Sequence, residues 1–388
     1  MKGAVNIAKI LVGVLFIISG LVKANDPLGL SYKMQEFFDV WSSDIASGSF
    51  FLKSPLLFLF SFLDAHALAL SMVMIALEIM AGIALLIGCQ TKFIVALLLV
   101  LILFFTFLTG YAFASGKFKN CGCFGDCLPI TPLASFLKDI VLLLLILFLF
   151  FAKTYIQPVV AKRTQTIILS LFLALSIGLQ VYVLNYLPLA DCLPFKKGAS
   201  INEGLKPPPH AIPDSFAIQF VYEKEGKQYA FLPQNLPADL DTYKFVERKD
   251  KLIRKGNAEP AIKGFVLSGI TDEDSTAVVL AQPHAVLYFY ETESAVPDAI
   301  KRSLIQIHHE AALKSIPVYV VTTSLQKVRW AFEKDAFPGL QFFKIDFTAF
   351  RTAARTNPCI YVMQNGAVKE KQSGRQTAQI INAIRQIR

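Results

Sequence analysis

Five long apolar stretches constrain this chain more than any other feature. They run over Asn6–Val22, Leu68–Gly88, Phe93–Phe113, Phe136–Ala152 and Thr166–Leu187. Each approaches the roughly 20 residues that a helix needs to cross the hydrocarbon core of a bilayer. No water is available there to satisfy backbone groups, so such stretches have to be helical. The first contains Lys9 and ends at Lys23, whose long stems can carry their charges toward the interface. No small-residue cleavage site follows it, so it reads as a helix rather than a removed leader. A further run, Pro55–Leu63, stops at Asp64. It is too short to span, and an interfacial or re-entrant piece is expected.

Charge placement divides the chain in two. The 388 residues carry 38 Lys and Arg against 29 Asp and Glu, but residues 1–195 hold only 12 basic and 9 acidic groups. A membrane module followed by a water-soluble one is the consequence. Charged residues make up 17%, against about 25% in soluble domains. A disordered chain, a fibrous repeat and an ordinary cytosolic enzyme are excluded. The second half is mildly basic, which does not call for nucleic acid. The lipid bilayer is the partner that composition implies.

Loop charges orient the module. With the N-terminus in the cytoplasm, the inner segments 1–9, 89–92 and 153–165 hold Lys2, Lys9, Lys92, Lys153, Lys162 and Arg163 and no acid. The outer segments 23–65 and 114–138 hold six lysines, as many basic residues at lower density, mixed with acids. Density favours a cytoplasmic N-terminus, and five crossings then place the C-terminal half outside the cytoplasm.

Cysteine usage agrees. Cys121, Cys123 and Cys127 share one outer loop, and Cys192 follows the last apolar stretch on the same side. Cys89 falls at an inner helix end and Cys359 in the distal domain. The loop reads Lys-Asn-Cys-Gly-Cys-Phe-Gly-Asp-Cys-Leu-Pro-Ile-Thr-Pro from 119 to 132. Gly122 and Gly125 allow tight turns, and Lys117 and Lys119 are placed to stabilise a thiolate. Lys196 and Lys197 accompany Cys192. Three readings stand: thiol–disulfide chemistry, static disulfides, or a cysteine-rich zinc site. Zinc is disfavoured because C-x-C-x3-C lacks the usual knuckle and no histidine is near, so no metal site is expected. Four cysteines allow three pairings, among which spacing does not choose.

Several motifs resemble the DoxX/MauE-like family of bacterial membrane proteins. The first helix carries Phe16-x-x-Ser19-Gly20-x-x-Lys23 and then Asp26-Pro27-x-Gly29. The second carries Ala76-Leu-Glu78-Ile-x-x-Gly82-Ile-x-Leu85-Leu86-x-Gly88. Cys121-Gly-Cys-Phe-Gly125 resembles the cysteine loop of the MauE branch, continued by Cys127-Leu-Pro-Ile-Thr-Pro132 as in DoxX-like proteins of Bacteroidetes. The resemblance covers about residues 1–190. It implies a four-helix core in the inner membrane, plus a fifth helix here, associated with thiol redox or with maturation of disulfide-containing partners. Methylamine metabolism attaches to some of these proteins by name, and no residue here argues for it.

Glu78 lies midway along the second helix, where a carboxylate is costly and marks a site by default. Lys23 and Asp139 are its candidate partners. Glu78 would relay protons or line a small-molecule pocket; a protonated Glu78 bonded to a neighbouring helix is the structural alternative.

The soluble half opens on a linker over 191–214 containing Pro207-Pro-Pro209 and Pro213, expected to be extended and semi-stiff. Phe216–Phe231, alternating around Glu225-Gly226, predicts a hairpin, within an extension to about residue 260 whose remainder is polar. From 261 onward, strands are predicted at Gly264–Ser268, His284–Tyr290, Ile316–Thr322 and Leu340–Ile345. Helices are predicted at Pro297–Lys314, Gln326–Lys334 and Gln376–Ile387. Thr356-Asn-Pro358, an apolar strand and Gln364-Asn-Gly366 resemble the cis-proline strand and hairpin of thioredoxin-like proteins. Where those keep C-x-x-C, this chain reads Glu291-Thr-Glu-Ser-Ala-Val-Pro-Asp298. The domain therefore lacks the dithiol, and a binding role is expected for it.

The expected protein is an α-helical membrane bundle followed by an α/β thioredoxin-like soluble domain in the periplasm. Cys121 and Cys123 are expected as the reactive pair, with Cys127 and Cys192 relaying and Glu78 handling protons, on a periplasmic client or redox partner. A quinone acceptor is conceivable by analogy with membrane disulfide-generating enzymes, although no residue demands one. The alternative is a non-enzymatic scaffold with static disulfides, whose thioredoxin-like domain binds a partner. A third reading is a small-molecule carrier built around Glu78 and Lys23.

Overall fold

The computed structural model describes residues 1–388 except 49–50, 119–121, 123–124, 126, 129, 255, 293–295, 334–339 and 388. The membrane half contains α1 (Lys2–Ala24), α2 (Pro27–Ser47), α3 (Lys53–Ala65), α4 (Ala67–Ile87), α5 (Thr91–Ser115), α6 (Pro132–Phe151) and α7 (Lys162–Tyr186). Five of these, α1 and α4 to α7, are long and apolar enough to cross a membrane. They coincide with the five apolar stretches.

Helices α1, α4, α5 and α6 share one interior, in which Val5, Val12, Phe16, Leu85, Leu98, Ile146 and Leu149 are buried. Close approach of α1 to α4 depends on small residues, because apolar surface gains nothing by leaving lipid and packing has to supply the attraction. A Cβ on Gly82 would lie 2.7 Å from the Gly13 carbonyl oxygen. Helix α7 buries little beyond Gln165, Ser176, Gln180 and Val183 and lies outside this four-helix core.

Helices α2 and α3 form a hairpin between α1 and α4. Asp26 caps α2 by accepting from the Gly29 amide at 2.9 Å, and Pro27 takes the first helical position, where its missing N–H costs nothing. Sequence analysis anticipated only a short piece at 55–63 and no helix at 27–47. The signal was present, since Leu30, Met34, Phe37, Phe38 and Trp41 follow helical spacing.

The soluble half begins with α8 (Ile201–Gly204) and a three-stranded antiparallel sheet, order β2-β1-β3, of β1 (Ser215–Lys224), β2 (Lys227–Phe231) and β3 (Lys244–Arg254). The hairpin is as expected; β3 falls in the stretch read as merely polar. The main unit follows as α9 (Thr276–Leu280), β4 (His284–Phe289), α10 (Asp298–Ala312), β5 (Val318–Thr322), α11 (Leu325–Glu333), β6 (Gln341–Lys344), α12 (Phe347–Ala353), β7 (Cys359–Gln364), β8 (Ala367–Ser373) and α13 (Thr377–Arg385). Its sheet order is β6-β5-β4-β7-β8. Strands β4, β5 and β6 are parallel, and β7 and β8 antiparallel. The Asn357–Pro358 bond before β7 is cis. This is a thioredoxin-like arrangement.

Both sheet faces are covered, so β4, β5 and β7 read as continuous apolar runs. One face, with Val286, Tyr288, Val320 and Ile360, packs under α10, α11 and α13. The other, with Leu287, Phe289, Val321 and Tyr361, packs against α9, α12 and the chain before β1. Phe195 and Ile201 are fully buried there, and the Ile201 amide donates to Gly366 in the β7–β8 turn. The first part of the 191–214 segment is thus folded into the domain rather than spaced away from it. The expected strand at Gly264–Ser268 is not one. Phe265 and Leu267 are buried, but only Ser268 forms bridges, to Asp274 and Lys344.

Candidate functional site

The site lies where one end of the membrane bundle meets the soluble domain. Cys127 and Cys192 form a disulfide with their Cα atoms 4.9 Å apart. Cys127 is half-buried and Cys192 exposed, so solvent reaches the bond. Among the pairings that spacing left open, this one ties the cysteine loop to the start of the soluble domain. Cys121, Cys123 and Lys119 lie outside the described residues. Two of the four sulfurs are thus bonded to each other. Among the described residues no other group of His, Cys, Asp and Glu could hold a metal.

Gly122 and Gly125 have φ of +68° and +57°, conformations that glycine adopts without strain. A Cβ on Gly122 would lie 2.8 Å from the Lys33 side chain on α2. Gly122 therefore packs on α2, and Gly125 faces Val22 near the end of α1. The Lys117 ammonium lies 2.5 Å from Asp44 Oδ1. That contact and a hydrogen bond from Tyr111 hold the Asp44 carboxyl below its usual range.

Three groups clamp the junction. The Asn25 amide, at the end of α1, donates to the Ala190 carbonyl at 2.8 Å and accepts from the Ala190 amide at 2.9 Å. Asp26 Oδ2 accepts from Arg355 Nε at 2.7 Å. Asp191, beside Cys192, lies 2.6 Å from Lys371 Nζ on β8. Arg351 on α12 stacks over Tyr32 of α2, 4.3 Å from its centroid. Arg351 and Arg355 of the soluble domain therefore meet an aromatic face and a carboxylate of the membrane half, and the cis-proline edge sits against the top of the bundle. Asn25, Asp26, Asp191, Arg355 and Lys371 were not singled out from sequence, since only the fold makes them neighbours.

Cys359, directly after the cis-proline, is fully buried as the first residue of β7. Burial pushes its thiol up from the usual range, so it stays protonated and inert. At the former dithiol position, Glu291 accepts from the Thr322 hydroxyl at 3.0 Å and from the Thr323 amide. Its carbonyl accepts from the Asn357 side chain at 2.7 Å. Hydrogen bonds, not sulfurs, hold this corner; residues 293–295 lie outside the described set.

Glu78 is 1% exposed between α1, α4 and α5. Lys23 Nζ lies 2.5 Å from Glu78 Oε1, and Ser19 donates to Oε2 at 3.0 Å. Lys23 also sits 4.8 Å from the Phe105 ring centroid. Of the two partners expected for Glu78, Lys23 is the actual one. Asp139 pairs instead with Lys138 at 2.8 Å and accepts from Thr109 at 3.0 Å. A cavity of about 210 Å³ lies beside the Lys23–Glu78 pair, where a small-molecule pocket was one of the readings; the wall that α2 contributes was not foreseen.

Comparison with known proteins agrees with the sequence reading of the membrane half. Residues 1–152 match the family described as methylamine utilisation protein MauE. Residues 216–255, the three-stranded sheet, match a domain of unknown function, DUF8463. A 114-residue segment is 36% identical to protein TlpB of Flavobacterium psychrophilum, covering 26% of this chain and 30% of that one. The chain thus spans under a third of that relative's length. A solved structure reported for a disulfide switch in BsSco, of the Sco family of cytochrome c oxidase assembly proteins, aligns over 32% of this chain and 91% of its own. Identity there is 12% and the TM-score 0.26.

Proposed function

We propose that this protein carries out thiol–disulfide exchange at the outer face of the inner membrane, with its N-terminus cytoplasmic and its thioredoxin-like domain periplasmic. The observation that carries this reading is the solvent-accessible Cys127–Cys192 disulfide. A purely structural crosslink gains from burial, whereas an exchanging one has to admit an attacking thiolate.

The chemistry is a two-electron exchange. A thiolate, from Cys121 or Cys123 or from a client, attacks the exposed Sγ of Cys192. The Cys127–Cys192 bond breaks and Cys127 leaves as thiolate. A second thiol then resolves the mixed disulfide. The net result is one disulfide reduced, one dithiol oxidised and two protons transferred. The thioredoxin-like unit lacks a dithiol and its Cys359 is buried, so its part is to hold the client beside the junction. Glu78 and Lys23 take up or supply protons below.

Thiol trapping in native membranes tests this. Maleimide labelling before and after mild reductant, mapped by peptide mass spectrometry, is expected to find Cys127–Cys192 in a mixed redox population. Cys121→Ser or Cys123→Ser should shift that population without lowering protein levels. A uniform disulfide that resists mild reductant, and mutants that only lower protein levels, would leave the scaffold reading instead.

A further inference from the structure

The end of the membrane bundle remote from the disulfide holds an open cavity of about 520 Å³. Its walls are the start of α1, the last turn of α4 and residues 155–159 of the connection from α6 to α7. That connection is pinned to the end of α4. The Val159 amide donates to the Ile87 carbonyl at 3.0 Å, and a Cβ on Gly88 would lie 2.5 Å from the Gln157 carbonyl oxygen.

Lys2, Asn6 and Lys9 all line the cavity. They recur at i, i+4 and i+7, which is one face of a helix. Lys9 is only 8% exposed. One of the three ammonium protons goes to the Leu86 carbonyl at 3.2 Å. That carbonyl belongs to the C-terminal end of α4, where the helix dipole offsets about half a charge. The remainder is unmet, because no carboxylate lines the cavity and residues 1–9, 89–92 and 153–165 contain none. A buried charge without a counter-ion is costly, and Lys2 on the same face adds repulsion.

The missing partner is an anion. Tyr155 and Gln157, also in the lining, can donate further hydrogen bonds to it. The rest of the wall is aliphatic, and its Ile10 and Val159 are exposed on the outside of the bundle, where lipid lies. An anion attached to acyl chains satisfies both sides of the cavity at once.

We propose that this cavity binds the negatively charged phosphate headgroup of a membrane phospholipid. The phosphate oxygens accept from Lys2 and Lys9, and the acyl chains run along α1 past Ile10. Basic pockets between membrane helices suit such headgroups. The site contains no cysteine and does not depend on the thiol exchange described above.

The test is native mass spectrometry of the full chain released from neutral detergent, with dioleoylphosphatidylglycerol or dioleoylphosphatidylcholine added. One phosphatidylglycerol is expected to bind saturably. Phosphatidylcholine, with no net charge, should bind about tenfold more weakly, since each lysine contributes at such a surface. Lys2 is exposed, and Lys2→Gln should weaken phosphatidylglycerol binding about fivefold. Lys9→Gln should weaken it at least as much, and Lys9→Arg should retain it. Lys92→Gln, at the same end of the bundle but outside the cavity, should leave it unchanged. If Lys9→Gln fails to fold, Lys2→Gln still decides the outcome. Equal binding of the two lipids overturns the proposal. So does equal weakening by Lys92→Gln and Lys2→Gln, which would assign the attraction to the whole basic surface. Displacement of the lipid by an equal concentration of inorganic phosphate or glycerol 3-phosphate also overturns it, because the anion would then be recognised without its chains.

Discussion

Arg355, just before the cis-proline, reaches across the chain to Asp26 at the top of α1, with Nε 2.7 Å from Oδ2 and 329 positions between them. The Arg355 side chain is 5% exposed and that of Asp26 14%. Together with Asp191–Lys371 this pair seats the soluble domain on the membrane bundle beside the disulfide. Charged pairs that are largely desolvated fix orientation more than they add affinity.

Arg355→Ala is therefore expected to loosen the docking. Asp26 keeps its cap bond to Gly29 and some water, so the cost should be about 1–3 kcal/mol, below the loss for a fully buried pair. Limited proteolysis between 205 and 214 should accelerate, and the swap Asp26→Arg with Arg355→Asp should restore resistance. Equal resistance in the single variant and the wild type would show that the pair does not hold the domains together.

The Lys23–Glu78 pair predicts a strong asymmetry between single and double substitutions. Lys23→Met leaves a carboxylate in the bundle without its cation, and loss of one partner of a buried pair costs about 3–5 kcal/mol. Replacing both by methionine is often neutral. Thermal unfolding in detergent should drop for either single variant and recover in the double one. A double variant as unstable as the singles refutes the pairing.

Cys359 should resist maleimide at neutral pH and react once the chain is unfolded. Burial raises its folded-state pKa above the unfolded value of about 8.5. The unfolded chain then releases its proton first as pH rises. The stabilisation from this thiol is full below that value and is lost as pH climbs from it toward the folded value. Cys359→Ala should flatten the alkaline side of a Tm-against-pH curve. An unchanged alkaline slope counts against it.

Gly82→Val tests the α1–α4 contact. The new side chain would meet the Gly13 carbonyl, and overpacking typically costs about 1–3 kcal/mol. Gly3→Val is the control, since nothing lies within 4 Å of a Cβ there. Tm in detergent should fall for the first and hold for the second; equal effects would mean that the close approach is not what limits the site.

Much of this architecture was legible in the chain itself. The spanning helices showed because lipid demands long apolar runs, and β4, β5 and β7 because a sheet covered on both faces does too. Helix α2 was missed although Phe37, Phe38 and Trp41 mark one face, because it packs beside the bundle without being apolar all round. Strand β3 was missed because Lys244, Glu247, Arg248, Lys249 and Asp250 lie exposed on a small sheet. Gly264–Ser268 misled in the opposite sense: Phe265 and Leu267 turn into the core, which satisfies the alternation without a partner strand.

The sequence by itself determined which half enters lipid, that three cysteines gather in one loop between α5 and α6, and that the thioredoxin-like domain lacks its dithiol. Those are properties of local composition, and local physics suffices for them. Only the tertiary structure decided that Cys127 bonds Cys192 across 65 positions, that Glu78 takes Lys23 rather than Asp139, and that Asp26 receives Arg355. Pairings at such separations depend on how helices cross and where the domain seats. The free energy of each contact is shared with every neighbour that positions it, so no short stretch of chain contains the answer.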